Sequence, residues 1–232
     1  MHKSWSKGFT KENHPSIRKI SNTMKRKKLD NFKKWREEMK AIGKIKSVYP
    51  KLSRSENLAE LIGMILGDGH IEKFPRTERL YIACNSKDVE LIKRYSDIIT
   101  ELFGKKPLCM KIKTLNCVRI SLYQKYMSKR LDIPTGARGK LNIPIKNWIL
   151  KNKNYLISYL RGLYEAEGSF CVHKPTSTYK LFFSNRNESL LNNVFNGMEF
   201  LGFHPHRSEY QIQISRKEEV YKAIDLLKFR KY

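Results

Sequence analysis

An internal repeat is the feature that most constrains how this chain of 232 residues folds. The nonapeptide LIGMILGDG begins at Leu61, and a related nonapeptide, LRGLYEAEG, begins 99 residues later at Leu160. At this offset Gly63 aligns with Gly162, Asp68 with Glu167, and Gly69 with Gly168. The same offset relates NSKD at 85–88 to SNRN at 184–187. This ordered series predicts two copies of one supersecondary unit.

Each copy is predicted to contain a helix, two strands, a helix, two strands and a final helix, from its hydrophobic periodicity. In the first copy we expect helices at 55–66, 88–103 and from 124, and strands at 70–75, 79–85, 108–113 and 116–122. In the second we expect a helix after Asn154, helices at 188–200 and 216–229, and strands at 169–174, 178–184, 204–207 and 209–215. The fold class is therefore α+β, with pseudo-symmetric αββαββα repeats at 51–150 and 151–232. A capping box at Ser53-x-x-Glu56 and an N-cap at Asn154 are predicted to begin the two repeats.

The charge of the chain is strongly unbalanced: 47 Lys and Arg face 22 Asp and Glu, a net charge of +25. Residues 1–50 form a basic arm with two short amphipathic patterns, the second beginning near Asp30 and ending at Gly43. Such an excess favours a polyanionic partner, although solubility charge or an anionic membrane surface is the alternative. We expect Arg26, Lys27 and Lys28 to contact phosphates; a solvated face or a targeting patch is the other interpretation.

Several classes of protein are excluded or disfavoured. No apolar run approaches the roughly 18 residues of a membrane-spanning helix, and residues 1–8 lack a secretory apolar core. The four cysteines have no metal-ligand spacing, so we expect reduced thiols in an intracellular protein of the cytoplasm, nucleoid or an organelle matrix. His204 and His206 are interpreted as part of a turn.

The repeated acids are the strongest chemical signal. Small residues four positions apart, Gly63/Gly67 and Gly162/Ala166, would let two helices approach closely. Asp68 and Glu167 would then lie side by side at helix C-termini, where their charges repel each other. A divalent cation resolves that repulsion, and oxygen ligands favour Mg²⁺, although other divalent ions are possible. The alternative is a pair of exposed acids beside glycine turns.

The two nonapeptides resemble the paired signatures of single-chain LAGLIDADG homing endonucleases, a resemblance that covers about 53–232. It implies that the signature helices form the interface between the repeats and that two antiparallel sheets form a saddle on the DNA major groove. It also implies that Asp68 and Glu167 are the catalytic metal ligands, assisted by the backbone carbonyls of Gly67 and Ala166. A basic catalytic residue is expected at Lys140, within Arg138-Gly139-Lys140, with no clear equivalent in the second repeat. Polar residues that hold active-site water are expected at Ser86-Lys87 and Asn185-Arg186.

The DNA-facing side chains are predicted from strand parity. In the first repeat they are Glu72, Arg76, Arg79, Lys111, Lys113, Arg119 and Ser121. In the second repeat they are His173, Lys180, Arg207, Gln211 and Gln213. Arg and Gln make bidentate contacts with guanine and adenine, whereas Lys at phosphates adds affinity without sequence information.

The preferred functional hypothesis is a monomeric, intron-encoded type of Mg²⁺-dependent endonuclease that cuts double-stranded DNA at a long asymmetric site. The arm would extend the contact with DNA, and neither a membrane nor an obligate protein partner is expected. An RNA-splicing maturase or a non-cleaving DNA-binding regulator on the same fold is the alternative. A general nucleic-acid chaperone would leave the ordered repeat unexplained.

Overall fold

The structure is a computed structural model that describes residues 5–30, 32–45 and 48–232. The chain divides into an N-terminal unit, residues 1–49, and a main unit, residues 50–232, and each is described by itself. Within the described ranges, no helix combines the length and the apolarity that crossing a bilayer requires.

The N-terminal unit contains two helices, α1 (Pro15–Arg26) and α2 (Lys33–Ala41), and neither buries a residue. The N-cap of α2 is Phe32, so the predicted cap at Asp30 is wrong. Asp30 instead accepts a hydrogen bond from the Phe32 N–H at 3.2 Å, in the turn before the helix. Gly43 has φ +74° just beyond α2, the left-handed conformation predicted for a helix end.

The main unit repeats one order of elements twice. The first repeat comprises α3 (Glu56–Gly67), β1 (Gly69–Lys73), β2 (Glu78–Asn85), α4 (Val89–Phe103), β3 (Leu108–Ile112), β4 (Cys117–Gln124) and α5 (Met127–Leu131). A short helix, α6 (Asn147–Leu150), precedes the second repeat. That repeat comprises α7 (Lys153–Glu167), β5 (Gly168–His173), β6 (Thr178–Ser184), α8 (Glu188–Phe200), β7 (His206–Ser208), β8 (Gln211–Ile214) and α9 (Lys217–Leu226). The predicted α+β class and the αββαββα order are confirmed.

Both sheets are antiparallel and share one topology. The strand orders are β1-β2-β4-β3 and β5-β6-β8-β7, so each hairpin contributes one central strand and one edge strand. One face of each sheet packs on helices, with fully buried Leu80, Ile82 and Ile120 in the first sheet and Leu181 and Phe183 in the second. Burying one such side chain contributes roughly 1.5–3 kcal/mol. Among the described residues of the main unit, no helix packs on the opposite face of either sheet.

The N-caps of the helices that carry the nonapeptides differ from those predicted, although the predicted range 55–66 of the first helix is within one residue of the observed range. Ser55 is the N-cap of α3 and accepts a hydrogen bond from the Leu58 N–H at 3.1 Å. Asn152 is the N-cap of α7, with its side chain accepting from the N–H groups of Asn154 and Tyr155. The predicted caps at Ser53 and Asn154 are each wrong by two residues, because the extended backbone that precedes each helix lies at Ser55 and Asn152.

α3 and α7 pack against each other through their small residues, as predicted. A Cβ on Gly162 would overlap the Glu60 carbonyl oxygen and come within 2.7 Å of the Met64 nitrogen. A Cβ on Gly63 would overlap the Tyr159 carbonyl oxygen in the same way. The two backbones therefore touch at a distance that only glycine permits at these positions.

Candidate functional site

Asp68 and Glu167 lie beside each other where α3 and α7 end. Asp68 is the residue directly after α3, and Glu167 is the last residue of α7. A Cβ on Gly67 would contact Ala166 and would come within 3.2 Å of the Glu167 Cγ, which shows how closely the two ends approach. Each acid leads directly into the first strand of its own sheet.

The electrostatics of the pair are unfavourable in the protein alone. Loss of hydration, together with the negative charge of Glu167, raises the pKa of Asp68 to about 6. Burial also raises the pKa of the Glu167 carboxyl. Among the described residues, no basic side chain lowers the pKa of either acid. The nearest polar support is Asn185, whose Nδ2 donates to Glu167 Oε1 at 3.2 Å.

This donor set fits a hard divalent cation. Two carboxylates without a cationic partner, beside the carbonyls at the ends of two helices, offer only oxygen ligands, which Mg²⁺ and similar ions prefer. Within the described part of the chain, no group of three or more His, Cys, Asp and Glu is arranged for a metal. A cation held here would therefore depend on the two acids, the carbonyls of Gly67 and Ala166, and further oxygens from water or substrate.

The first repeat places Arg138 against the end of its nonapeptide helix. Arg138 Nη2 donates to the carbonyl oxygens of Ile65 at 2.7 Å and Gly69 at 2.6 Å. Its Nε and Nη1 are buried and have no hydrogen-bond partner in the part of the chain that the structure describes, and burial lowers the pKa of the guanidinium. Lys140, the predicted basic residue, is exposed two positions further along the chain. Arg138 is therefore the basic residue that the structure brings to this helix end.

The second repeat has a counterpart that sequence reasoning missed. Arg230 Nη2 lies 3.5 Å from the carbonyl oxygen of Gly168, which is the repeat equivalent of Gly69. Arg230 follows α9 in a left-handed backbone conformation, with φ +52°. It lies 62 residues from Gly168 in the sequence, and no local pattern indicates this contact. The second repeat therefore also has an arginine at this carbonyl, where the sequence shows no clear equivalent.

Among the four residues predicted to hold active-site water, the equivalent residues Asn185 and Ser86 make different contacts. Asn185 contacts Glu167, as described above. Ser86 occupies the equivalent position in the first repeat, where its backbone N–H donates to Asn116. Asn185 is therefore the member of this group that the described hydrogen bonds connect to an acid.

The face of the first sheet on which no described helix of the main unit packs is here called the first open face. The strand register places on it His70, Glu72, Arg79, Tyr81, Ala83, Leu108, Met110, Arg119, Ser121 and Tyr123. The predicted positions of Glu72, Arg79, Arg119 and Ser121 on this face are confirmed. Arg79 forms an ion pair with Glu72, and the guanidinium of Arg119 stacks 4.6 Å from the Tyr81 ring centroid. The aromatic residues and Met110 were missed, although their alternation with buried residues is visible once the register is known.

The second open face is the equivalent face of the second sheet. It carries Ser169, Cys171, His173, Thr178, Lys180, Phe182, Ser184, His206, Ser208, Gln211 and Gln213. The predicted placement of His173, Lys180, Gln211 and Gln213 is confirmed. His206 belongs to β7, which overlaps the strand predicted at 204–207, and it pairs with Gln213, so its interpretation as part of a turn is wrong.

Four predicted DNA-facing residues lie elsewhere. Arg76 and Lys113 are in the turns of their hairpins. Lys111 pairs with Val118 and so shares the helix-side face of the sheet. Arg207 pairs with Ile212 and binds Glu188 and Asn192 of α8. Lys111 and Arg207 are on edge strands, where a one-residue error in register exchanges the two faces.

Two αββαββα repeats, joined through closely packed helices that each end in an acid, define the LAGLIDADG fold. The likeness predicted from the nonapeptides is confirmed at the level of the fold by solved structures. The homing endonuclease I-DmoI, in complex with DNA and manganese, is 20% identical, with 74% of this chain and 96% of that chain covered and a TM-score of 0.51. The homing endonuclease I-WcaI, bound to its DNA recognition sequence, is 17% identical, with 77% and 82% covered and a TM-score of 0.53.

The same fold occurs in a protein that is not described as an endonuclease. The N-terminal LAGLIDADG domain of WhiA is 16% identical, with 77% of this chain and 83% of that chain covered and a TM-score of 0.52. Among curated proteins, an uncharacterized protein of Methanocaldococcus jannaschii is 28% identical over 162 residues, 65% of this chain. The chain spans 56% of the length of that relative. No protein-family model matches the sequence.

Proposed function

We propose that the main unit is a divalent-metal-dependent, site-specific endonuclease that acts on double-stranded DNA. The observation that supports the proposal is the pair of carboxylates, Asp68 and Glu167, at the contact of α3 and α7, where no basic side chain among the described residues lowers the pKa of either acid. Each carboxylate directly precedes a strand that contributes to an open sheet face. The acids would therefore lie close to a polyanion bound on those faces.

The proposed roles of the residues follow from their positions. Asp68 and Glu167, with the carbonyls of Gly67 and Ala166, would hold the cation. When bound, such a cation supplies an activated water molecule and neutralises charge that develops on the scissile phosphate. Arg138 retains buried donors beside Gly69, and such charge-assisted donors orient and stabilise phosphate oxygens. Asn185 would orient a water molecule next to Glu167. Lys140, the basic catalytic residue implied by the resemblance, would supply a further positive side chain from the exposed segment that follows Arg138.

The proposed substrate is a long asymmetric DNA site. The first open face presents Arg119 among aromatic rings, whereas the second presents Gln211 and Gln213. Since the two faces differ, they would read different half-site sequences in the major groove. I-DmoI and I-WcaI are described in complex with DNA, which supports this substrate class. Mg²⁺ as the metal, a monomeric state, an intron-encoded origin and an intracellular location belong to the same proposal.

Cleavage of a DNA library tests the proposal directly. The purified chain would be incubated with randomised or genomic fragments in Mg²⁺, and the newly formed ends would be sequenced. We expect ends on both strands at one class of site, and none when a chelator replaces Mg²⁺. Cutting that persists without divalent ions, or ends scattered without sequence preference, would contradict the proposal.

A second candidate is a DNA-binding or RNA-splicing protein that does not cleave. The similarity to the WhiA domain favours it, because that domain has this fold without being described as an endonuclease. Selective retention of one DNA or intron RNA sequence by the chain, with no new ends in Mg²⁺, would support this candidate over the first.

A further inference from the structure

Glu165 is a buried acid that the proposed cleavage chemistry does not use. It occupies the sixth position of the second nonapeptide, where the first nonapeptide has Leu66, and it is 7% exposed. Glu165 Oε1 accepts the Arg230 backbone N–H at 2.7 Å, and Oε2 accepts the Tyr232 hydroxyl. Both oxygens of this carboxylate therefore hold the segment that follows α9.

Other contacts hold the same segment, residues 229–232. Arg161 Nη2 donates to the Lys231 carbonyl oxygen at 2.8 Å. The Phe229 side chain is 4% exposed and meets the Tyr164 ring edge-on, with centroids 6.4 Å apart. Arg161 and Tyr164 belong to α7, as Glu165 does, so this one helix fixes the path of the segment.

The path of the segment determines where the Arg230 side chain lies. A non-glycine residue with φ +52° is uncommon and persists when surrounding contacts hold it. The hydrogen bond from the Arg230 N–H to Glu165 is such a contact, and the guanidinium of the same residue lies 3.5 Å from the Gly168 carbonyl oxygen. Gly168 is the residue directly after Glu167.

Arg138 is held in a different way in the first repeat. Its backbone carbonyl accepts a hydrogen bond from Asn187 Nδ2 at 2.7 Å. The position equivalent to Glu165 is Leu66, whose side chain has no hydrogen-bond acceptor. The two acids thus have arginines at equivalent carbonyls, Gly69 and Gly168, but each arginine is anchored by its own set of contacts.

We propose that Glu165 and Tyr232 form a clip that holds the Arg230 guanidinium at the carbonyl of Gly168, the residue after the second acid, where it assists cleavage of one of the two DNA strands. Glu165 and Tyr232 are then positioning residues, and Arg230 is the group that meets the phosphate. The inference rests on the proposed endonuclease function. It predicts an asymmetry between strands, because Arg138 serves the first acid independently of the clip.

The test follows both strands of a supercoiled plasmid that carries the selected target site. Tyr232→Phe removes one hydrogen bond, and Glu165→Leu gives the second nonapeptide the residue found at Leu66. We expect each variant to slow cleavage of one strand about 10-fold to 100-fold, so that nicked circles accumulate, while the other strand is cut at the wild-type rate. DNA affinity is expected to stay within about threefold of wild type.

Additional variants separate positioning from a structural effect. Arg230→Gln should reproduce the nicked product, and Arg230→Lys should partly restore cutting of that strand. Combining Arg230→Gln with Tyr232→Phe should add little to either change alone, since both act on one group. Asp225→Asn is the matched control, because it removes the exposed 2.8 Å ion pair of the same segment with Lys231 and leaves the clip intact.

The outcomes distinguish the two proposals. The clip would be overturned if the wild type cuts both strands and the clip variants either cut both normally or cut both more slowly to the same extent. The endonuclease function would then still hold. The clip would also be overturned if the clip variants lose cutting of the strand only in proportion to a lowered melting temperature. A wild-type chain that binds its target without cutting would overturn the endonuclease function itself.

Discussion

Ionisation of Asp68 destabilises the folded protein when no cation is bound. Its pKa is raised from 3.8 to about 6, so the unfolded chain loses this proton at lower pH than the folded protein does. Ionisation of Asp68 therefore lowers the free energy of unfolding as the pH rises. This loss of stability is absent below about pH 4, grows between pH 4 and 6, and is complete above pH 6. The residue is placed for a partner that the protein alone does not supply.

Asp68→Asn should consequently stabilise the protein in a chelating buffer at pH 8. We expect a gain of about 1 kcal/mol after allowance for solvent screening, which raises the melting temperature by roughly 2–4 °C. At pH 4 the variant and the wild type should melt together, whereas excess Mg²⁺ should stabilise only the wild type. Thermal unfolding monitored by circular dichroism measures each difference.

Asp97→Asn on the exposed surface of α4 is the control for this substitution. It makes the same chemical change away from Glu167 and should leave the pH dependence of melting unaltered. A stability gain for Asp68→Asn that is equal at pH 4 and pH 8 would show that charge repulsion is not its cause.

The paired acids were predictable from the sequence, but the arginines beside them were not. Asp68 and Glu167 recur at one offset within matched nonapeptides, so a local pattern identified both. Arg138 reaches the carbonyl of Gly69 across 69 residues, and Arg230 reaches that of Gly168 across 62. Contacts of this range depend on how loops return to the helices, which no periodicity encodes.

At the scale of elements, the contact between α3 and α7 gives the sharpest expectation for stability. Gly162→Ala would place a Cβ against the Glu60 carbonyl oxygen and 2.7 Å from the Met64 nitrogen, both in rigid helix backbone. We expect a loss of about 3 kcal/mol or more in the free energy of unfolding, measured by urea denaturation.

Gly139→Ala is the matched control for that substitution, since a Cβ there meets nothing within 4 Å. It should be neutral or stabilising by roughly 0.4–1 kcal/mol. Equal behaviour of the two variants would mean that the helices do not approach as closely as the structure has them.

The register of β3 against β4 gives a second expectation at this scale. Arg119 lies on the first open face, whereas Lys111 lies on the helix-side face opposite Val118. Arg119→Ala should weaken binding to the selected target by about 1–3 kcal/mol, and Lys111→Ala should have a smaller effect. Affinities measured at one salt concentration decide this; a larger loss for Lys111→Ala would indicate the opposite register.

The elements themselves show what the sequence reveals and where it fails. The central strands were placed on the correct faces because Val118, Ile120 and Leu122 alternate clearly with polar residues. The edge strands β3 and β7 are short and their alternation is weak, so Lys111 and Arg207 were assigned to the wrong face. The N-caps of α3 and α7 were predicted two residues away from their observed positions, because several polar residues near each start are equally good N-caps.

At the scale of the whole molecule, a net charge of +25 contrasts with Asp68 and Glu167, two adjacent acids whose pKa no basic side chain among the described residues lowers. The N-terminal unit holds part of that excess and buries no helical residue, so it offers charge rather than a core. Arg26, Lys27 and Lys28 are exposed at the end of α1 and just beyond it.

Replacing these three residues with Ala should weaken DNA binding and flatten its salt dependence. If each contacts one phosphate, the slope of log K against log salt should fall by about 2.7. Replacing Lys93, Lys129 and Lys222, which are exposed on α4, α5 and α9, removes the same charge and is the control. An equal change in slope for both triple variants would show that general charge, and not a phosphate contact by this unit, controls affinity.

The most direct test of the central claim is cleavage of the selected site in Mg²⁺ by Asp68→Asn and Glu167→Gln. Asp97→Asn and Glu199→Gln, at exposed positions on α4 and α8, make the same chemical changes and serve as controls. The paired-acid account predicts that the first two variants bind the site within about threefold of wild type and lose cleavage by about 10³-fold or more, while both controls cut normally. Cleavage at the wild-type rate by Asp68→Asn and Glu167→Gln would contradict it.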